Sequence, residues 1–111
     1  MVWRLYTSPV GDWTSVGPEE GRPSLGEVTV HGREIALARL DDGSWAAFDN
    51  DCTHEECPLA DGDLDGDRIT CYCHGSVFDL RTGEVLEGPA DEPLAVYLVR
   101  VEDGELQVAV P

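Results

Sequence analysis

Short runs of apolar residues, broken at close intervals by Gly, Pro and Asp, make up most of the 111-residue chain. This texture is typical of short strands connected by turns. No segment of useful length repeats its apolar residues with the period of an α-helix, because Gly and Pro recur too often. The pattern therefore predicts an all-β protein.

Turn sequences separate several of these runs. His31-Gly32-Arg33 fits a hairpin turn, Asp41-Asp42-Gly43 turns the chain again, and Asp103-Gly104 is the strongest hairpin signal in the chain. The predicted strands cover residues 2–6, 27–30, 34–40, 44–48, 77–80, 94–101 and 105–110.

The middle of the chain differs from its two ends. Residues 46–88 are rich in Asp, Gly and Cys and have few large apolar side chains. We expect a single domain in which residues 1–45 and 89–111 form a β base, while residues 46–88 form a small subdomain organised by a metal.

Length and hydropathy also bear on location. No run of about 18 apolar residues is present, so we expect no membrane span. The first residues lack the apolar core of a signal peptide. The expected location is the cytoplasm, where persistent disulfides are uncommon.

The charge is strongly acidic, with 23 Asp and Glu against 7 Arg, no Lys and a net charge of −16. A phosphate backbone would be repelled, so nucleic acid is not an expected partner. A basic protein is the natural complement, although the charge can also serve solubility alone. Acids surround the central Cys and His residues, with Arg68 as the one base: Asp49, Asp51, Glu55, Glu56, Asp61, Asp63, Asp65, Asp67 and Asp79.

All four cysteines and two of the three histidines fall in two clusters, Cys52-Thr53-His54-Glu55-Glu56-Cys57 and Cys71-Tyr72-Cys73-His74. Thiolates and imidazoles are ligands for iron and zinc. Three interpretations compete: a Cys₂His₂ zinc site, a redox dithiol, and a [2Fe–2S] cluster held by two Cys and two His. The C-x-x-C motif that most zinc modules and dithiols carry is missing.

The sequence resembles the Rieske iron–sulfur proteins from about residue 35 to the end. The spacing C-x-H, sixteen residues, C-x-x-H fits that family. The resemblance implies a Rieske-like antiparallel β-sandwich of stacked sheets with an inserted cluster-binding subdomain. The motifs that carry it are Cys52-Thr53-His54, Cys57-Pro58-Leu59, Cys71-x-Cys73-His74-Gly75-Ser76-x-Phe78-Asp79, Thr82-Gly83 and Gly88-Pro89-Ala90.

Carried over by position, the resemblance implies one [2Fe–2S] cluster per chain, with Cys52 and Cys71 on the buried iron and His54 and His74 on the outer iron. Two ferric ions, two sulfides and two thiolates sum to zero charge, whereas an all-Cys cluster carries −2. An electron enters the less negative centre more easily, and Rieske centres as a class span about −150 to +300 mV.

Cys57 and Cys73 match positions that form a disulfide between the two cluster loops in respiratory and photosynthetic Rieske proteins. Many oxygenase-type ferredoxins lack this pair. The paired positions favour a bridge, whereas the expected cytoplasmic location favours two reduced thiols. Both interpretations stay open at this point.

Three further residues are implied to tune the cluster. Ser76 stands where high-potential relatives donate a hydrogen bond to a bridging sulfide. Phe78 replaces an assisting Tyr, and Glu55 places a carboxylate where those relatives have an apolar residue. The combination predicts an intermediate potential, below the respiratory type.

The function implied is one-electron transfer from a flavin-dependent ferredoxin reductase to a terminal oxygenase of the aromatic-ring dioxygenase type. A catalytic oxygenase subunit needs a second iron site with two His and a carboxylate. The one spare histidine, His31, is expected in an exposed turn, so we expect no catalytic site. The alternatives are a small Rieske subunit of a larger oxidoreductase such as nitrite reductase, and a zinc-stabilised interaction domain.

Overall fold

The computed structural model describes residues 13–53, 57–73 and 75–110. Those residues form ten strands and one turn of 3₁₀ helix, Leu59–Asp61. All the strand pairs are antiparallel, and the predicted all-β class is confirmed. No helix in this part of the chain is long and apolar enough to cross a membrane.

Two sheets make up the fold. The larger has the order β1-β10-β9-β4-β3-β2 and the smaller has the order β5-β6-β7-β8. The large-sheet strands are β1 (Trp13–Pro18), β2 (Leu25–Val30), β3 (Arg33–Arg39), β4 (Trp45–Asp49), β9 (Val96–Glu102) and β10 (Glu105–Ala109). The small-sheet strands are β5 (Asp63–Asp65), β6 (Arg68–Thr70), β7 (Val77–Asp79) and β8 (Val85–Glu87).

The two hairpins with the clearest turn sequences form as predicted. His31 and Gly32 connect β2 to β3 with φ of 53° and 76°, and Asp103 and Gly104 connect β9 to β10 with φ of 52° and 80°. Two-residue hairpins with a type I′ turn need positive φ at both positions, and Asp, His and Gly tolerate it. His31 is exposed, as expected.

The strands predicted at residues 34–40, 44–48 and 77–80 also form, within a residue or two at each end. The pattern missed four strands, namely β1, β5, β6 and β8. β1 contains Gly17 and Pro18, and the other three have three residues each, too few to show an alternation. The strand predicted at residues 2–6 lies outside the described residues.

Two apolar cores follow from alternation along β3 and β4. Ile35, Leu37 and Trp45 point into one core, which they share with β9 and β10. The other core contains residues of the small sheet, together with Ala36 and Ala38 of β3 and Ala46 and Phe48 of β4. The described cysteines also belong to this second core or pack against it: Cys52, Cys57, Cys71 and Cys73.

An ion-pair cluster joins turns of the two sheets. Arg81, after β7, contacts Asp67 through Nε at 2.6 Å and Asp42 through Nη2 at 3.1 Å. Asp42 lies in the turn between β3 and β4, and Asp67 lies between β5 and β6. These ion pairs therefore connect the small sheet to the large one. The division of the chain into a β base and a subdomain at residues 46–88 stays a prediction.

Candidate metal centre

The first loop of the site leaves the large sheet after β4 and returns through the 3₁₀ turn. The N–H of Cys52 donates to the carbonyl of Cys57 at 3.0 Å. Asp51 and Pro58 form an isolated antiparallel bridge, and the N–H of Leu59 donates to the carbonyl of Asn50 at 2.6 Å. The loop is therefore closed at its base, and it holds the buried Cys52, which is 4% exposed.

The second loop connects β6 to β7. The N–H of Cys71 donates to the carbonyl of Ser76 at 2.8 Å, and the N–H of Gly75 donates back to the carbonyl of Cys71 at 3.0 Å. Gly75 has φ of 80°, in the left-handed region that glycine adopts without strain. This tight turn buries Cys71, which is 2% exposed, and leaves the side chain of Tyr72 at the surface.

A disulfide connects the two loops. Cys57 and Cys73 are bonded, with their Cα atoms 6.5 Å apart. The Sγ atoms of Cys57, Cys71 and Cys73 all lie within 4.8 Å of one another. The bridge therefore lies directly beside Cys71, while Cys52 and Cys71 take no part in it.

A third segment, between β8 and β9, supports both loops. The N–H of Ala90 donates to Oγ of Ser76 at 3.0 Å, and Oγ1 of Thr53 donates to the carbonyl of Glu92 at 2.8 Å. Ser76 is completely buried. The sequence predicted a role for Ser76 but not for Thr53, which stands between the two ligand candidates of the first cluster and gave no separate signal.

The two described cysteines outside the disulfide lie buried on the two loops. Two buried thiols, Cys52 and Cys71, belong to one apolar cluster and come from loops that are fixed to each other. Thiolates are soft ligands suited to iron–sulfur clusters or zinc. Phe78 is also fully buried, in the strand that follows the second loop. His54, Glu55 and His74 lie outside the described residues.

A polar network joins three strands of the large sheet, β3, β4 and β9, next to the start of the first loop. Oη of Tyr97 donates to Oδ1 of Asp49 at 2.5 Å and accepts from Nη1 of Arg33 at 2.9 Å. Burial, reinforced by the bond to Asp49, raises the pKa of Tyr97 to about 12. The bond to the phenol raises the pKa of Arg33.

Comparison with known proteins gives matches over most of the chain. The model of the Rieske [2Fe-2S] domain family matches residues 12–107. The ferredoxin component of the naphthalene 1,2-dioxygenase system of Pseudomonas aeruginosa is 37% identical over 104 residues, covering 94% of this chain and 88% of the relative.

Solved structures give the same likeness. A chain in the complex of reduced oxygenase and oxidized ferredoxin of carbazole 1,9a-dioxygenase superposes with a TM-score of 0.79 and 34% identity, covering 86% of this chain and 100% of that chain. The putative NADH-dependent nitrite reductase small subunit of Mycobacterium tuberculosis superposes with a TM-score of 0.77 and 28% identity, covering 89% and 95%.

Proposed function

Because the chain belongs to the Rieske [2Fe-2S] domain family, we propose that it carries single electrons from a flavin-dependent reductase to a terminal oxygenase of the aromatic-ring dioxygenase type. The observation that carries this proposal is the 37% identity, over 94% of the chain, to a ferredoxin component of a naphthalene dioxygenase system. A similar chain in a solved oxygenase–ferredoxin complex supports the choice of acceptor. The reductase as donor and the cytoplasmic location remain predictions.

The proposed ligands are Cys52 and Cys71 on the inner iron and His54 and His74 on the outer iron. The inner pair is supported by the burial of both thiols in one apolar cluster, on two loops that the disulfide connects. When bound, the cluster accepts and releases one electron, at a higher potential than an all-Cys cluster.

The residues around the loops hold this geometry and tune it. The Cys57–Cys73 bridge fixes one loop to the other. Oγ of Ser76 accepts from Ala90, so its own hydrogen can be donated to a cluster sulfide. Phe78 offers no second hydroxyl, and Glu55 adds a negative charge, so we propose an intermediate potential.

We also propose that the chain has no catalytic site. It has three histidines, and a mononuclear iron site would need two more beyond His54 and His74. The third, His31, lies in the exposed turn between β2 and β3, where Nε2 is 3.3 Å from Oγ1 of Thr14. The chemistry on substrate therefore belongs to the oxygenase.

The test combines spectroscopy with transfer. The purified protein should be red-brown, and its dithionite-reduced form should give the electron paramagnetic resonance signal of a Rieske cluster. Mixed anaerobically with an oxidised naphthalene-type oxygenase, the reduced protein should be reoxidised as the oxygenase is reduced. The Cys52→Ser variant serves as the control without cluster. A colourless protein that holds zinc, or a reduced protein that transfers no electron, contradicts the proposal.

A second candidate is a subunit that stays bound to a larger enzyme, which the similarity to the nitrite reductase small subunit favours. The two functions differ in how tightly the partner is held. A carrier dissociates after each transfer, whereas a subunit elutes with its large partner during size-exclusion chromatography of the native extract. Stable co-elution with one large protein would favour the second candidate.

A further inference from the structure

Asn50 stands out among the buried residues. Asn50 and Ser76 are the two buried polar side chains in the described part of the chain. Ser76 is accounted for at the cluster, but Asn50 has no role in the function proposed above. It directly follows β4 and precedes Cys52 by two residues, so it stands where the large sheet gives way to the first loop.

The side chain of Asn50 connects two separate elements. Its Nδ2 donates to Oε2 of Glu27 on β2 at 3.1 Å. Its Oδ1 accepts the N–H of Ala60, in the 3₁₀ turn that ends the loop, at 2.9 Å. The amide therefore spans the gap between the large sheet and the far end of the loop.

The backbone of Asn50 makes two more contacts. Its N–H donates to the carbonyl of Glu34 on β3 at 3.1 Å, and its carbonyl accepts the N–H of Leu59 at 2.6 Å. Polar groups of a residue that is 1% exposed cannot exchange these partners for water at low cost. Asn50 thus connects the start of the first loop to β3. It also connects the two ends of that loop to each other.

We propose that Asn50 is a positioning residue, which holds the first ligand loop in the position relative to the large sheet that cluster binding requires. The inference rests on the proposed function, because Cys52 is taken as a ligand. Outer residues that orient ligands typically affect metal retention about 10- to 100-fold. The disulfide fixes this loop to the second loop, whereas Asn50 fixes it to the sheet beneath.

A set of variants tests the side-chain contacts. Asn50→Leu removes both side-chain bonds at similar volume, and Asn50→Asp keeps the bond from Ala60 but turns a carboxylate towards Glu27. The double variant Asn50→Asp/Glu27→Gln restores a donor to that second bond, with the charge of the pair unchanged. Trp45→Phe is the matched control, because it removes the 3.0 Å bond from Nε1 to Glu19 at the other end of β4.

The measurements are loss of visible absorbance under an iron chelator, the electron paramagnetic resonance spectrum of the reduced protein, and thermal unfolding. We expect the cluster of Asn50→Leu to be lost about tenfold or more faster, with shifted g-values. The double variant should return towards the wild-type rate and spectrum. Trp45→Phe should lower thermal stability with the wild-type spectrum and rate.

Two results would overturn the inference. One is a wild-type rate and spectrum in both Asn50→Leu and Asn50→Asp. The other is a double variant that loses its cluster as fast as Asn50→Asp alone. If Asn50→Leu does not fold, the comparison of Asn50→Asp with the double variant decides. A wild-type protein that binds no cluster would instead refute the proposed function, so the two failures are distinguishable.

Discussion

The buried hydroxyl of Ser76 is expected to affect the reduction potential. Its oxygen accepts the N–H of Ala90, so its own hydrogen is available for the bond that we propose to a cluster sulfide. We expect Ser76→Ala to lower the reduction potential, because the added electron loses a hydrogen bond that stabilises it. Protein-film voltammetry measures the shift, with Ser44→Ala as the control, since that hydroxyl is exposed and bonds Asp42. An unchanged potential in Ser76→Ala would contradict the assignment.

We expect Tyr97 to make the protein less stable at alkaline pH. An unfolded tyrosine ionises near pH 10, whereas burial raises the pKa of Tyr97 to about 12 in the folded chain. Between these values the unfolded chain releases a proton that the folded chain keeps, so stability falls as pH rises through that window.

The Tyr97→Phe variant tests this dependence. At neutral pH it should be less stable by about 1 kcal/mol, because Asp49 and Arg33 lose their phenol partner. From pH 9 to pH 11 its free energy of unfolding should fall less steeply than that of the wild type. Urea unfolding at several pH values gives both quantities, and equal slopes would show that Tyr97 does not cause the pH dependence.

Among the elements, the β5–β6 hairpin depends on a close approach at Gly62. A Cβ added there would lie 2.2 Å from the carbonyl oxygen of Thr70. We expect Gly62→Ala to destabilise the fold by about 1–3 kcal/mol or more, since the backbone of β6 must move. Gly26→Ala is the matched control, because its Cβ would meet only Cγ of Pro23, at 3.5 Å. Equal stabilities of the two variants in thermal unfolding would contradict this expectation.

The two ligand loops should depend on each other through their disulfide. Breaking a bridge between residues 16 apart typically costs about 2–4 kcal/mol. We expect Cys57→Ser and Cys73→Ser each to lose the cluster faster than the wild type, and the double variant to add little to either. Absorbance decay under a chelator measures this loss. Two titratable thiols on the cluster-loaded wild type would show instead that the bridge is not formed in solution.

How far sequence predicts an element depends both on the chemistry of its turns and on the length of its strands. Asp103-Gly104 and His31-Gly32 marked their hairpins, because few residues accept positive φ. The β5–β6 hairpin also has a turn signal, Gly66-Asp67, with Gly66 at a φ of 62°. Its strands have three residues each, however, and Asp63–Asp65, an acidic stretch with one apolar residue, still looks like a loop. Its strand pairing with Arg68–Thr70 arises from packing against the second core, which is a tertiary effect.

The candidate site could also be predicted only in part from the sequence. The spacing of Cys and His pointed to the two loops, because ligand chemistry is local in sequence. The bond from the N–H of Ala60 to Asn50 and the bond from Thr53 to Glu92 join segments that the sequence pattern could not relate. Asn50 in particular gave no signal, since an Asn at the end of a strand is usual in an ordinary turn.

In the described part of the molecule, basic and acidic side chains differ in how far they are engaged within the fold. Most of the described arginines are engaged within the fold, by hydrogen bonds, ion pairs or aromatic rings: Arg22, Arg33, Arg39, Arg81 and Arg100. Exposed acids remain at the site, with Asp51 next to Cys52 and Asp63 paired with Thr70, the residue before Cys71. The surface near both ligand loops therefore presents negative charge.

If this charge attracts an oxygenase with a basic docking surface, electron transfer to that oxygenase should become slower as the salt concentration rises. We expect the second-order rate of oxygenase reduction to fall about tenfold from low to high ionic strength, because screening removes the long-range attraction. Asp51→Asn/Asp63→Asn should lower the rate at low salt and reduce its salt dependence. Glu102→Gln/Asp103→Asn, at the end of β9 away from Val96 and the first loop, should do neither. Equal effects of the two pairs would mean that the acids act on the rate only through the net charge, since a net charge acts from anywhere on the surface. Docking, in contrast, depends on charges beside the cluster.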